Sequence, residues 1–351
     1  MQNNTYVLQE FSMDWRKTKR KVLIVIAMLL VLGMASFLYG FFDNAAAPHL
    51  HDGDDHALNA GISVRPGSDG DAPSAAMNDP EQTAHPSGHI VLPAPAHENH
   101  FMVRMNPSDI FRGNLLLVNH DHRFDPPDTQ GFVSIASEIT PSYGVTGDDL
   151  RVAASVIEPL NNMMDSFFAA TGRDTVTVIS AYRGYERQQE ILNEYIALVG
   201  SIEALRWAAL PGHTEHHTGL AVDFGLQGHG GLRTFLGTGV YSWFVQNSHS
   251  FGFILRFPGE KSDITNTAYE PWHFRYIGLP HSLIIHYNDW CLEEYIEHVT
   301  GYTRNNPLIE DYNGSRYEIY FTMDREIIIP NDSEFDISGN NINGFIVTIK
   351  Q

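Results

Sequence analysis

Apolar and polar positions recur with different periods along this chain, and the period marks the elements. Val22 to Phe42 is an unbroken run of 21 residues without a charge. As a helix rising about 1.5 Å per residue it reaches roughly 31 Å, the thickness of a hydrocarbon core. From Asp43 to Met105 periodic hydrophobics disappear in favour of Ala, Pro, Gly, Asp and His. Such a stretch buries too little apolar area to fold and reads as a disordered tether. Pattern returns at Leu115–Val118, an apolar run suited to a buried strand. Asp148 to Ala170 predicts a helix, with Val152, Val156, Ile157, Leu160, Met164 and Phe167 on one side. Thr175–Ile179 is β-branched and predicts a strand. Helices are expected over Glu186–Leu198 and Ile202–Ala209, a short strand over Leu220–Phe224, and a closing helix over His281–Thr300. Tyr317–Phe321, Glu326–Ile329 and Phe345–Ile349 read as strands, with turn signals at Asn313-Gly314 and Asn343-Gly344.

This order predicts an α+β fold, a small mixed or antiparallel sheet with flanking helices, preceded by one transmembrane helix and a disordered linker. The expected organisation is an N-terminal segment 1–21, an anchor 22–42, a His/Asp/Pro-rich linker 43–105, a main domain 106–303 and a C-terminal β appendage 304–351.

Charge sharpens that picture. Arg16, Lys17, Lys19, Arg20 and Lys21 precede the apolar run and Asp43 follows it, which puts the N-terminus in the cytoplasm and the rest outside. Cleavage at Ala45-Ala46-Ala47 is the competing reading, but the apolar run is longer than a usual signal core. Over the whole chain 22 Lys+Arg face 42 Asp+Glu, a formal charge of −20. That excess argues against nucleic acid, whose phosphates need a basic surface. The single cysteine, Cys291, excludes a disulfide framework and any site built from several thiolates. An exterior without disulfides suits a Gram-positive cell. Histidines His49, His51, His56, His85, His89, His97 and His100 crowd the linker, where with Asp52, Asp54 and Asp55 they could hold a divalent metal loosely.

Three stretches gather polar residues beside predicted strands: Ser180 to Gln188, Pro211 to Asp223 and Glu270 to Tyr276. His216 and Asp223 are seven apart, awkward for one ion on a straight helix and on opposite faces of one strand. The Thr218-Gly219 break resolves this, letting His216 precede a turn while Asp223 sits on the strand that follows. The third stretch adds Glu270 and His273. Two imidazoles and one carboxylate are the protein's share of a catalytic zinc site with a position open to water. Glu270 is placed as the acid/base outside that donor set, and Arg183 as a fixed cation for a carboxylate or developing oxyanion. His217, beside His216, is the alternative ligand, while Glu215 reads equally as support for the site or as an exposed acid. Arg256 is expected in an ion pair, and Tyr182 and Tyr185 on the aromatic side of a core.

These stretches resemble the VanY-type D-alanyl-D-alanine carboxypeptidases, zinc enzymes related to the VanX-type dipeptidases. The family pattern Ser-x-Tyr-Arg-x4-Gln, Ser-x-His-x6-Asp and Glu-Pro-Trp-His-x-Arg-Tyr is matched by Ser180, Tyr182, Arg183 and Gln188, by Thr214, His216 and Asp223, and by Glu270, Trp272, His273, Arg275 and Tyr276. Thr214 stands where serine is usual, keeping the hydroxyl and adding a methyl that could narrow the terminal D-Ala pocket. The resemblance covers roughly residues 112–303. It implies the zinc DD-peptidase, hedgehog-like fold, one Zn2+ per site on His216, Asp223 and His273, and Glu270 and Arg183 as catalytic residues. Arg183, Gln188, Thr214 and Ser180 would contact substrate, which would be peptidoglycan stem peptides met outside the cell. An L,D-carboxypeptidase acting on tetrapeptide stems, a lapsed wall-binding module and a zinc-capturing surface protein are the alternative readings.

Overall fold

The structure, a computed structural model, describes residues 90–93, 99–125, 131–228 and 230–351. The proposed anchor 22–42 and most of the histidine-rich linker lie outside these residues, as does His229. Among the described residues no helix is long and apolar enough to cross a membrane. Order begins before the expected boundary at 105. Strands β1 (Ile90–Pro93) and β2 (His100–Arg104) pair antiparallel, and β2 also takes a partner from the far end of the chain. Val103, 1% exposed, anchors this end in a core that it and Met105 share with Ile327, Ile329 and Phe345.

The central sheet is built from β3 (Gly144–Val145), β4 (Val176–Ser180), β5 (Ala221–Gly228), β6 (Gly231–Thr234), β7 (Phe253–Leu255) and β8 (His273–Tyr276). Their order is β3-β4-β5-β8-β7, with β6 on β5. Only β3 and β4 run parallel, so the sheet is mixed as expected. The strand expected over Leu220–Phe224 extends to Gly228, because Ala221 through Leu226 are buried without alternation, as in a strand covered on both faces. Helix α1 (Ala154–Thr171) buries Val156, Leu160, Met163, Met164 and Phe167, a stripe at helical spacing, and stops at Gly172 in the left-handed region. Its predicted start at Asp148 fails because Arg151–Ala153 is a strand paired with Phe132–Ser134. Helix α2 (Tyr185–Val199) matches its prediction, but beyond Gly200 (φ 88°) only Ser201–Ala204 continue as helix before the chain turns. Phe224, Phe235, Phe244 and Phe274 pack together at the centre of the core, Phe224 stacked on Phe274 and edge-on to Phe235.

Leu115–Val118 is buried as expected yet is not a strand: the Leu116 and Leu117 carbonyls accept from the Arg275 and Asn341 side chains instead of from a ladder. Arg275 Nη2 donates to the carbonyls of Asn114 and Leu116, both at 3.0 Å. The closing helix is two, α3 (His281–Asn288) and α4 (Leu292–Val299), broken where Asp289 adopts φ 54°. The C-terminal strands are β9 (Leu308–Tyr312), β10 (Ser315–Thr322), β11 (Glu326–Pro330), β12 (Glu334–Gly339) and β13 (Phe345–Lys350). Four form a sheet in the order β9-β10-β13-β12, whereas β11 leaves to pair with β2. Residues 304–351 are therefore less an appendage than a second layer: Ile319 and Ile346 share one core with Leu115, Ile254, Ile277, Leu292 and Tyr295.

Gly339 shows how closely that layer is fitted, because a Cβ there would sit 2.4 Å from the carbonyl carbon of Ile110. Backbone cannot swing aside as a flexible side chain does, so Gly339→Ala is expected to destabilise by about 1–3 kcal/mol. The check is a melting temperature lower by about 2–4 °C for each kcal/mol lost.

Candidate active site

His216 and Asp223 are placed by a turn that the local sequence dictates. Thr214 Oγ1 accepts from the His216 amide and caps a single 3-10 turn, Glu215–Thr218, which ends at Gly219 with φ 70°. Any Cβ at Gly219 would come within 3.0 Å of the Ala153 amide nitrogen, so this turn needs glycine both for its φ and for its room. Chain direction reverses there into β5, which carries Asp223. Strand β8 then lies antiparallel to β5 with His273 opposite Asp223, joining residues 50 positions apart.

The expected convergence is what the backbone produces. His216 Nε2 is 3.2 Å from Asp223 Oδ2, and His273 Nδ1 is 3.0 Å from Asp223 Oδ1. One donor atom from each of the three lies within 4.8 Å of the others, and all three residues are buried. Two donors each about 2.1 Å from a tetrahedral zinc stand roughly 3.4 Å apart, so the spacing suits one ion. The outer ring nitrogens are engaged as well. His216 Nδ1 donates to the Ala181 carbonyl at 2.7 Å, leaving the Nε2 lone pair pointing inward, and His273 Nε2 lies 3.4 Å from Glu215 Oε2. The donor set and its supports fit zinc.

Electrostatics separates the carboxylates. Asp223 is held well below the usual carboxylate range: burial alone would raise it, but the His216 and His273 rings outweigh that. His216 is pushed down to about 4, by burial first and then by the Arg183 charge, so its ring is neutral at pH 7. Glu270 is pushed up to about 8, chiefly by burial, with Oε2 3.8 Å from His273 Nδ1. A carboxyl that readily holds a proton near neutrality, beside a cation-binding trio, is suited to passing protons.

Arg183 is aimed by its neighbours. Its Nη1 donates to Gln188 Oε1 at 2.7 Å and its Nη2 to Ser180 Oγ at 2.9 Å, with Asp223 Oδ2 3.5 Å away. Gln188 in turn donates through Nε2 to the Ala209 carbonyl. Gln188 and Ser180, expected on substrate, both accept from Arg183 and hold it in place, and the Thr214 hydroxyl accepts from the His216 amide. Gln188 and Thr214 still line the cleft, together with Tyr195, Trp207, His213, Phe257 and Trp272.

His217 is not a metal donor. Its Nε2 accepts from the Gly212 amide and its Nδ1 donates to the Arg183 carbonyl, so both nitrogens are used. Tyr185, expected against a core, stacks on His217 and is 37% exposed, while Tyr182 packs edge-on to Phe132. Glu215, read as support or as an exposed acid, is 2% exposed and faces Arg256 and Arg275. The Arg256 ion pair was expected, but the role of Arg275 was missed. The available signal was period: residues 273 and 275 share one face of a strand, so a cation follows the ring's outer nitrogen.

Residues 149–279 match the VanY family, described as D-alanyl-D-alanine carboxypeptidase. A D-alanyl-D-alanine carboxypeptidase of Enterococcus faecium is 29% identical over 246 residues, 68% of this chain and 76% of that protein. The bifunctional D-Ala-D-Ala dipeptidase and D-Ala-D-Ala carboxypeptidase VanXYC of Enterococcus gallinarum is 36% identical over 140 residues, 38% of this chain and 74% of that protein. Among solved structures, the vancomycin resistance D,D-dipeptidase VanXYg, in complex with a D-Ala-D-Ala phosphinate analog, superposes with a TM-score of 0.63 at 30% identity. That alignment covers 72% of this chain and 99% of the other.

Proposed function

The chain belongs to the VanY-type family of D-alanyl-D-alanine carboxypeptidases, and from that premise we propose that it is a zinc-dependent hydrolase trimming the terminal D-Ala from peptidoglycan stem peptides. The observation that carries the reading is Asp223 bracketed at 3.0 and 3.2 Å by two imidazoles, with Glu270 against one of them and Arg183 against the aspartate.

His216 Nε2, an oxygen of Asp223 and His273 Nδ1 would hold the ion. Zinc, when bound, supplies a Lewis acid and lowers the pKa of a coordinated water toward neutrality. The protein's own groups do the rest. Glu270 takes a proton from the attacking water and returns it to the nitrogen of the departing D-Ala as the peptide C–N bond breaks. Arg183 keeps N–H donors beyond those given to Gln188 and Ser180, and these offset charge on the acyl oxygen. Phe257, Tyr195 and Trp272 wall the cleft and reduce its access to water, which strengthens both effects.

Around this site the proposal has an extracellular enzyme on a single-pass anchor at 22–42, with residues 1–21 in the cytoplasm and the linker as a flexible tether. The basic cluster Arg16 to Lys21 ahead of the apolar run supports that orientation.

The test is incubation of the protein with pentapeptide and tetrapeptide stems, following D-Ala release by mass spectrometry. Release from the pentapeptide, abolished by a chelator and restored by zinc, is the expected result. Release from the tetrapeptide alone would make it an L,D-carboxypeptidase. A zinc-loaded protein that cleaves neither would refute the reading.

A further inference from the structure

Glu215 occupies a position between the metal-binding trio and a buried pair of arginines. Its Oε1 accepts from Arg256 Nε at 2.7 Å and has Arg275 Nη1 at 2.8 Å, the latter an ion pair without hydrogen-bond alignment. Its Oε2 is the oxygen 3.4 Å from His273 Nε2. Arg256 and Arg275 are fully buried and His273 nearly so. Both arginines are fixed from elsewhere. Arg256 is forked onto Glu293 at 2.6 and 2.8 Å, and Arg275 donates to the carbonyls of Asn114, Leu116 and Tyr276.

A carboxylate faced by two guanidinium groups that cannot leave is itself unable to rotate away. Being an acceptor, it favours a proton on His273 Nε2; Asp223 Oδ1 faces the other nitrogen at 3.0 Å, so an ion taken up between them would meet the ring at Nδ1. His216 is fixed the opposite way, its Nδ1–H given to the Ala181 carbonyl. We propose that Glu215 is a positioning residue for the metal site: pinned by Arg256 and Arg275, it sets the tautomer and tilt of His273, so that this ring binds through Nδ1 while His216 binds through Nε2. The inference rests on the zinc-peptidase reading and adds to it a residue outside the donor set on which the metal's grip depends.

The experiment uses the whole zinc-loaded protein. In the wild type, 15N chemical shifts of the imidazoles are expected to show zinc on His273 Nδ1 and on His216 Nε2, with a proton on the other nitrogen of each. Competition with a chelator is expected to show zinc affinity lower by about 10–100-fold in Glu215→Gln. Glu294→Gln serves as the comparison, since its carboxylate pairs with Lys261 and the Cys291 amide and is bonded to none of Arg256, Arg275 and His273, and it should keep wild-type affinity. Zinc on His273 Nε2, or equal losses in the two variants, would overturn the proposal while leaving the peptidase reading in place. Should Glu215→Gln fail to fold, the wild-type shifts decide alone. A wild type that takes up no zinc would overturn both.

Discussion

Glu270→Gln is expected to lower kcat for D-Ala release by about 10²–10⁴-fold, the usual share of a positioned acid/base. The substitution is nearly isosteric, so the buried pocket around residue 270 keeps its shape. What disappears is the capacity to accept a proton in one step and deliver it in the next. Glu270 is one of several acids in the region but differs from the others. Asp223 is held ionised between two rings, and Glu215 is fixed against two arginines. Only Glu270 has its proton affinity raised, to about 8, by burial that its neighbours leave uncompensated. Because it stands outside the trio, the variant should bind zinc with wild-type stoichiometry, and KM should move less than kcat. Steady-state kinetics on the pentapeptide, with metal analysis of the same preparation, checks both. Turnover like that of the wild type would reject the assignment, and loss of zinc would show Glu270 to be a ligand.

How much of this was legible beforehand depended on the range of the interactions concerned. The trio could be found because catalysis restricts residue types and because the Thr218-Gly219 break is a local signal. The orientation of His217 could not, since it follows from the Gly212 amide and the Arg183 carbonyl, two backbone groups brought together by tertiary folding. Glu215 was ambiguous for the same reason: whether an acid can be buried is decided by its partners, and Arg256 lies 41 positions away. In the fold, short β-branched segments were placed within a residue or two. The pairing of Glu326–Pro330 with His100–Arg104 was hidden because its strand neighbours in sequence offer equally good partners. The break at Asp289 was invisible as well. Apolar spacing runs through it, and a left-handed aspartate carries no compositional mark.

Asp223→Asn tests the centre of the site and has the largest effect expected on the metal. Asparagine keeps the volume and one carbonyl oxygen, so the β5–β8 register and the two imidazoles have no reason to move. The charge is what changes. With aspartate present, the site offers two imidazole rings and one anion to a divalent ion, and the same anion faces Arg183 at 3.5 Å. Without it, a double positive charge would sit beside a guanidinium with no counter-charge in the trio. Two unit charges about 4 Å apart, in the effective dielectric near 20 found for such sites, interact by about 4 kcal/mol, and the double charge of the ion only enlarges this. Zinc binding is therefore expected to weaken by at least about a thousandfold. Activity should fall with occupancy and return in part at high zinc, whereas Glu270→Gln would not respond to added metal. The measurement is a chelator-competition affinity for each variant, with D-Ala release recorded across the same zinc series. Affinity within tenfold of the wild type, together with normal release, would mean that Asp223 is no ligand and that the geometry joining His216 to His273 serves some other end.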